Sequence, residues 1–467
     1  MNRQNADGGR GGGGVNLPVV RGHNEALLLD LLRAAGPVGL GRAGLAARTG
    51  LTPQAVSKIT ARLAAEGLVA EAGRDASTGG KPRTRLRLVP GARHAVGVHL
   101  DRDELRAVRV DLVGGVVAEW SGPLDFGAGP DVVVDAVVRA VARVSDGAEG
   151  SRRLLGVGVA APGPLDWRGG VLGRVTGFPQ WEGFPLREVL AGRLGVAVVV
   201  DKDTNAGAAA GGLSGAGGSW AGGLGGLGSL GGPGGSGVLG GRGGPGGPGA
   251  PGGPGGSGGP GGRGGSGVAG GPGGSGGPGG PGGPGGSGVL GGPGGSGGPG
   301  GPAGESGGPR GGGPGLDGPG AGSAVYLHVG TGLGAGLWLD GAVYRGPRSG
   351  AGEFGHQVLL LDGPRCRCGG RGCLEVLCLE AVARGDLARA ARVLGEGAAN
   401  LVALLDVDRV LLGGRVVAGA PEVFVRGVRE VLAARALTAD PPVVGLAPAG
   451  VAEGAAELVL APVFGGG

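Results

Sequence analysis

The stretch that decides the fold reads Gly352-Glu353-Phe354-Gly355-His356, then Cys366-Arg367-Cys368, then Gly372-Cys373-Leu374-Glu375. It places one imidazole and three thiols in a single short loop, and the glycines beside the cysteines allow that loop to fold tightly. Three thiolates and one imidazole are a closed tetrahedral ligand set that suits a structural Zn²⁺. We therefore predict a zinc site at His356, Cys366, Cys368 and Cys373. The alternative is a loop of reduced cysteines without a ligand.

Glycine and proline are concentrated in one block of the chain. Glycine supplies 126 of the 467 residues and proline 34, and nearly half of them fall between residues 216 and 320, where a long run has glycine at every third position. Collagen shows the same repeat, but here Gly-Gly pairs dominate, and ordering them costs the most conformational entropy. We expect a disordered low-complexity insertion, with a trimerising structural segment as the alternative.

The remaining sequence excludes several protein classes. Four cysteines in a chain of this length are too few for a disulfide scaffold. No apolar run reaches the roughly 18 residues of a membrane helix, and residues 1–15 form a polar tail without the apolar stretch of a secretory signal. Hydrophobic residues make up 40 % of the chain, which is enough to bury cores. We expect a soluble, cytoplasmic protein without a membrane partner.

Residues 16–90 predict a basic winged helix-turn-helix domain. Residues 1–90 carry 13 basic and 6 acidic residues, a net charge of +7 against +5 for the whole chain. Helical patterns at 24–35 and 42–48 precede a helix capped by Thr52, with Pro53 at its first position. Alternating apolar residues at 86 and 88 predict a strand of the wing. In this fold, the helix after Thr52 enters the major groove of DNA.

The predicted DNA contacts are polar side chains on the outer faces of this helix and on the wing. Because Val56, Ile59 and Leu63 form the buried stripe, the other faces are free to contact bases and phosphates. Glycines at the wing tip allow its cations to approach DNA closely. The predicted contacts are Thr52, Gln54, Ser57, Lys58, Arg62, Lys81 and Arg83. The alternative is a small helical bundle whose basic hairpin binds a protein.

Residues 91–215 and 321–467 predict an α/β body of two lobes, divided by the insertion. Apolar strands at 155–160, 196–200 and 324–329 alternate with helical segments. Asp340-Gly341 between two short apolar runs is typical of a hairpin turn.

These motifs resemble the signature of the ROK family, which contains bacterial repressors and sugar kinases on an actin-like ATPase fold. The resemblance covers residues 16–215 and 321–467, and it rests on the Gly352–His356 stretch, the spaced cysteines and Gly372–Glu375. It implies an actin-like body of two lobes. Repressor members of the family carry an N-terminal winged helix, as predicted here, whereas kinase members usually lack one.

The resemblance also implies a sugar site. Asp203, Glu353, His356 and Glu375 would bind the sugar, and His356 would couple it to the zinc loop. The family has an Asn-Asp pair where this chain has Lys202-Asp203, and a lysine there favours an acidic or phosphorylated ligand. The alternative role of Glu353 and Glu375 is to stabilise the loop or to cap a helix.

The first phosphate loop of family kinases differs from this chain. Those kinases have Asp-x-Gly-Gly-Thr, whereas this chain has His99-Leu100-Asp101-Arg102-Asp103. Two carboxylates beside a triphosphate would repel it by about 1 kcal/mol or more per close pair. Gly330–Gly336 and Gly413-Gly414 resemble the family's second phosphate loop and adenosine contact, and Asp203 resembles the kinase general base. We nevertheless expect no useful ATP turnover.

The sequence therefore predicts a sugar-responsive transcriptional repressor whose kinase-like domain is a non-catalytic sensor. We expect a homodimer or higher homo-oligomer that binds an inverted repeat in double-stranded DNA. Its expected ligand is a sugar or sugar phosphate, and its expected cofactor is the structural Zn²⁺. The alternative is an active ATP-dependent sugar kinase with an accessory DNA-binding domain.

Overall fold

The computed structural model describes residues 17–74, 83–145, 147, 152–214, 322–436 and 438–466. The predicted tail at 1–15, the predicted wing residue Lys81 and the predicted insertion at 216–320 lie outside these residues. Within them, an N-terminal domain precedes two lobes, each built around a five-stranded sheet. No helix in these ranges is long and apolar enough to cross a membrane.

The N-terminal domain consists of three helices and a small antiparallel sheet of strand order β1-β3-β2. Its elements are α1 (Leu17–Ala35), β1 (Leu40–Gly41), α2 (Arg42–Thr49), α3 (Pro53–Ala65), β2 (Val69–Arg74) and β3 (Thr84–Leu88). The Thr52 hydroxyl accepts a hydrogen bond of 3.2 Å from the Ala55 amide, as predicted for the cap of α3. The sequence pattern placed the start of α1 too late, at Asn24, and missed β1, which is too short to show a period.

The N-terminal domain and the first lobe share one hydrophobic core. Leu28 and Leu32 of α1 and Val56 and Leu63 of α3 are fully buried. They belong to one cluster with residues of the first sheet and of the last helix of the chain. The domain is therefore packed against the body over an apolar surface.

The first lobe has the strand order β10-β7-β4-β5-β6. β4, β7 and β10 are parallel, whereas β5 and β6 extend the sheet as antiparallel strands. The elements are β4 (His94–Leu100), β5 (Glu104–Asp111), β6 (Val116–Pro123), α4 (Pro130–Val144), β7 (Leu154–Ala161), β8 (Leu165–Asp166), β9 (Val171–Leu172), α5 (Leu186–Leu194), β10 (Val198–Lys202) and α6 (Asp203–Ser214). The apolar run of β7 is buried along most of its length, as expected for a central parallel strand.

The second lobe repeats this arrangement. Its sheet, read from one edge, is β15-β14-β11-β12-β13, with β11, β14 and β15 parallel and β12 and β13 antiparallel. The elements are β11 (Ala324–Val329), β12 (Leu333–Leu339), β13 (Ala342–Val343), α7 (Leu374–Ala383), α8 (Leu387–Leu405), β14 (Arg409–Gly413), α9 (Arg415–Gly419), α10 (Pro421–Arg435), β15 (Val443–Leu446) and α11 (Val451–Leu460). The predicted two-lobed α/β body is confirmed.

The last helix, α11, packs against the first lobe at very short distance. A Cβ on Gly97 of β4 would collide with the carbonyl of Ala452, and one on Gly158 of β7 would collide with the carbonyl of Ala455. Glycine at these two positions therefore lets the helix backbone lie directly on the sheet.

Candidate ligand cleft and metal centre

The predicted sugar-site residues line one cleft. Strand β10 ends and helix α6 begins at its floor, which brings Lys202 and Asp203 into the cleft. The loop after β13 and the start of α7 supply Glu353, His356 and Glu375 on the other side. The residues that line the cleft come from distant parts of the sequence. Several of them were not predicted for the sugar site: Asp101, Arg102, Thr176, Thr204, His328 and Thr331.

Lys202 is held by two oxygens of the second lobe. Its side chain is 6 % exposed. The ammonium donates to the carbonyl of Ala351 at 2.6 Å and lies 3.2 Å from the Glu353 carboxylate. The charge of Lys202 therefore already has a partner in Glu353.

Asp203 and Glu375 each accept a backbone hydrogen bond while lining the cleft. Asp203 is the first residue of α6, and its carboxylate accepts from the Thr204 amide at 2.6 Å. Burial raises the pKa of Asp203, although His328 and Lys202 oppose this shift. The Glu375 carboxylate accepts from the Leu333 amide at 3.0 Å, which ties α7 to β12. Each carboxylate keeps further acceptor sites for a ligand.

The four predicted metal ligands form one cluster. The ligand atoms of His356, Cys366, Cys368 and Cys373 all lie within 4.8 Å of one another. Cys366 Sγ is 3.9 Å from His356 Nδ1, and Cys368 Sγ is 3.7 Å from Cys373 Sγ. Tetrahedral Zn²⁺ with bonds of about 2.3 Å to sulfur separates its ligands by about 3.8 Å. The cluster could hold a metal ion, and its dimensions fit zinc.

The thiols of this cluster sit in different surroundings. Burial raises the pKa of Cys373 to about 12, whereas a hydrogen bond from the Gly370 backbone lowers the pKa of Cys368. A dication between them supplies the charge that neighbouring thiolates need. Cys378, in contrast, is buried in α7 and directs its thiol to the Ala390 carbonyl, outside the cluster.

The turn between β4 and β5 is joined to the second lobe by polar contacts. Asp101 accepts from the Thr331 hydroxyl at 2.9 Å, and Arg415 lies 2.8 Å from Asp103 and 3.9 Å from Asp101. Burial opposes ionisation of Asp101, but hydrogen bonds from the Arg102 amide and Thr331 outweigh it and lower the pKa. The carboxylates that differ from the kinase phosphate loop are thus ion-paired across the cleft.

The glycines predicted to resemble phosphate contacts have packing roles. Only Gly330–Gly332 forms a turn, since Leu333–Leu339 is strand β12, which corrects the predicted turn at 330–336. A Cβ on Gly336 would collide with the Thr204 carbonyl, and one on Gly413 would lie 2.5 Å from the Tyr326 hydroxyl. The close packing of α6 on β12 explains the glycines of this strand without a nucleotide.

The predicted DNA-contact residues are mostly exposed. Gln54, Ser57 and Lys58 are exposed on α3, and Arg83 is exposed before β3. Thr52 caps the helix, so its hydroxyl is already engaged. The Arg62 guanidinium pairs with Glu25 of α1 through contacts of 2.6 and 3.2 Å, a long-range ion pair that the sequence pattern did not reveal.

The sequence profile of the ROK family matches residues 318–385, the segment that carries β11, β12 and the metal cluster. Over this segment the chain is similar to the ROK family. The xylose repressor of Bacillus subtilis (strain 168) is 20 % identical over 360 residues, which cover 76 % of this chain and 66 % of that protein. The N-acetylglucosamine repressor of Escherichia coli O157:H7 is 32 % identical over 191 residues, covering 40 % of this chain and 46 % of the relative.

A solved structure of a ROK family protein has a fold similar to that of this chain. A crystal structure described as a ROK family transcriptional regulator, homologue of the E. coli MLC protein, matches with a TM-score of 0.60 and 17 % identity. The match covers 95 % of this chain and 97 % of that one. At this identity the likeness shows the fold alone.

Proposed function

We propose that the protein is a sugar-responsive transcriptional repressor. The proposal depends on one observation. A cleft lined by carboxylates, hydroxyls and imidazoles lies in a body whose hydrophobic core continues into an N-terminal domain with an exposed polar helix face. Relatives named xylose repressor and N-acetylglucosamine repressor support a sugar ligand and a DNA target.

The cleft would bind the hydroxyls of a sugar. Carboxylate oxygens accept two or more hydrogen bonds at defined angles, which suits Asp203, Glu353 and Glu375 to sugar hydroxyls. His356 would use Nδ1 for a structural Zn²⁺ and its opposite nitrogen for the sugar, and the metal would then fix the ring. Lys202 would act through Glu353, which it holds in place.

The N-terminal domain would bind duplex DNA as a winged helix-turn-helix. Helix α3 would enter the major groove with Gln54, Ser57 and Lys58 near the bases, while Lys81 and Arg83 of the wing would contact phosphates. Thr52 would fix the start of α3, and Arg62 would contact DNA only by exchanging Glu25 for a phosphate. A homodimer would place two such helices on an inverted repeat.

Helix α11 would transmit ligand binding to the DNA-binding domain. Gly454 of α11 packs directly on the carbonyl of Ala206 in α6, the helix that starts at Asp203. One turn further, Glu457 forms an ion pair with Arg33 of α1, and the Arg33 guanidinium lies 4.6 Å from the Phe464 ring centroid. A shift of α6 on sugar binding would thus move the surface on which the N-terminal domain rests.

We also infer that the ROK domain is not a kinase. Asp101 and Asp103 occupy the turn where family kinases have glycine and a hydroxyl, and both lie against Arg415. A nucleotide would have to separate this ion-paired contact and place its phosphates beside carboxylates, which is unfavourable. A coupled assay with hexoses and ATP tests this, and steady turnover above background would contradict it.

The function is tested by genomic footprinting of the tagged full chain with and without candidate sugars. We expect discrete inverted-repeat sites next to sugar-utilisation genes, with occupancy that changes when one sugar is present. A Lys58→Gln variant should lose the sites, while Arg139→Gln, an exposed arginine of α4, should keep them. Absence of discrete sites in the native protein would contradict the proposal.

A further inference from the structure

The turn between β4 and β5 carries a cation, Arg102, that takes no part in the proposed sugar, metal or DNA contacts. Arg102 lies between Asp101 and Asp103, and it lines the ligand cleft. Its amide donates to the Asp101 carboxylate at 2.7 Å, and its carbonyl accepts from the Phe126 amide at 3.0 Å. Both sides of the Arg102 backbone are therefore anchored, and the side chain starts from a fixed point.

The guanidinium of Arg102 has no carboxylate partner within the described part of the chain. It lies 5.7 Å from the centroid of the Phe178 ring, which supports it from one side. The adjacent carboxylates are engaged by other groups, because Asp101 contacts Thr331 and Arg415 and Asp103 contacts Arg415. Lys202, the other cation of the cleft, is paired with Glu353.

The free guanidinium lies close to a sugar-site carboxylate. A Cβ built on Gly332 would be 3.8 Å from Arg102 Nη2 and 3.4 Å from Glu375 Oε2. The two groups therefore flank the same glycine, with the Glu375 carboxylate already fixed by the Leu333 amide. A ligand that reaches Glu375 with its hydroxyls can reach Arg102 with its next substituent.

We propose that the ligand is a sugar with an anionic substituent, a phosphate ester or a carboxylate, and that Arg102 binds that substituent. Arginine presents a planar fork of donors that matches phosphate and carboxylate oxygens. This inference rests on the proposed function, and it assigns the charge of the ligand to Arg102 rather than to Lys202.

Calorimetric titration of the full chain tests the inference with two series of probes. The first is glucose, glucose 6-phosphate and glucuronate, and the second is N-acetylglucosamine and its 6-phosphate. We expect the native protein to bind a phosphate or a uronate at least about tenfold more tightly than the matching neutral sugar. Comparing glucose 6-phosphate with glucuronate shows whether the negative charge of the preferred ligand is a phosphate ester or a carboxylate.

Substitution of the arginine assigns the preference to its guanidinium. In Arg102→Gln we expect the preference to fall below about threefold while the affinity for the neutral sugar stays within about twofold, and Arg102→Lys should retain part of it. Arg143→Gln is the matched control, since Arg143 also lies on an aromatic ring, that of Trp120, away from the cleft. Thermal unfolding of each variant verifies folding.

The outcomes separate this inference from the proposed function. A native protein that binds neutral sugars without preferring their anionic forms overturns the inference and leaves the proposed function standing. A preference that survives in Arg102→Gln also overturns it. If no probe of either series binds, the inference is overturned, and footprinting with other sugars decides separately on the sugar-sensing function.

Discussion

The two lobes share a strand order but differ at equivalent turns. The turn after β4 reads Asp101-Arg102-Asp103, whereas the turn after β11 reads Gly330-Thr331-Gly332. The residues one position before the strand ends also correspond: His99 on β4 and His328 on β11, whose rings lie 6.0 Å apart. His328 Nδ1 contacts the Tyr326 hydroxyl, while His99 Nε2 is buried without a partner among the described residues.

The comparison shows that the shared strand order places the two turns at equivalent positions of the lobes. The side chains of the turn residues then determine which contacts each turn can make. The charged turn of the first lobe and the glycine turn of the second meet through Asp101 and Thr331. The second lobe alone carries the metal cluster in the described residues. Four substitutions can break or sharpen this contrast.

The largest effect is expected from removing a metal ligand of the second lobe. Cys373→Ser should abolish zinc binding and lower the free energy of unfolding by more than about 4 kcal/mol. The reason is that the free energy of binding a structural metal contributes directly to the stability of the folded state. Elemental analysis and urea unfolding measure both effects. Cys378→Ala, in the same helix but outside the cluster, should keep the zinc, and a zinc-free native protein would contradict the assignment.

The next largest loss of stability is expected from substituting a glycine of strand β12 in the second lobe. Gly336→Ala should cost about 1–3 kcal/mol, since its Cβ would collide with the Thr204 carbonyl. Gly192→Ala, on α5 with open space around it, should be neutral or slightly stabilising. Urea unfolding compares the two, and a harmless Gly336→Ala would show that α6 does not require this glycine.

The buried His99 of the first lobe, whose Nε2 has no hydrogen-bond partner among the described residues, predicts that acid lowers the stability of the protein. Burial and the neighbouring His328 lower the pKa of His99 from 6.5 to about 4. The unfolded chain therefore binds the proton first, and stability falls as the pH drops below 6.5 toward 4. Between pH 6.5 and 5.5, the native protein should lose about 1 kcal/mol more than His99→Gln. Equal losses in urea unfolding would contradict a buried neutral imidazole.

The smallest effect is expected at the contact between the lobes. Arg415→Gln should lower the free energy of unfolding by less than about 1 kcal/mol, because the Arg415 side chain is 41 % exposed. Arg435→Gln removes a similarly exposed pair with Glu396 on the second lobe and is the control. A loss above about 2 kcal/mol for Arg415→Gln alone would show that the lobes depend on this pair.

Much of the site was predictable from local sequence. The metal ligands lie in one loop, so their spacing was informative, and Asp340-Gly341 forms the predicted turn with φ of +52° and +76°. Contacts between distant segments were not predictable, as for Lys202 with Ala351 and Arg62 with Glu25. The resemblance assigned the glycine at position 336 to a phosphate loop, and sequence alone does not show that α6 packs upon it.

The most direct test of the account is the affinity of the full chain for a footprinted promoter fragment, measured by fluorescence anisotropy at fixed salt. A cleft that communicates with the N-terminal domain should change this affinity by about five- to 150-fold when its sugar is added, corresponding to a coupling of about 1–3 kcal/mol. An unchanged affinity at a concentration where calorimetry shows the cleft saturated would contradict sugar-responsive DNA binding.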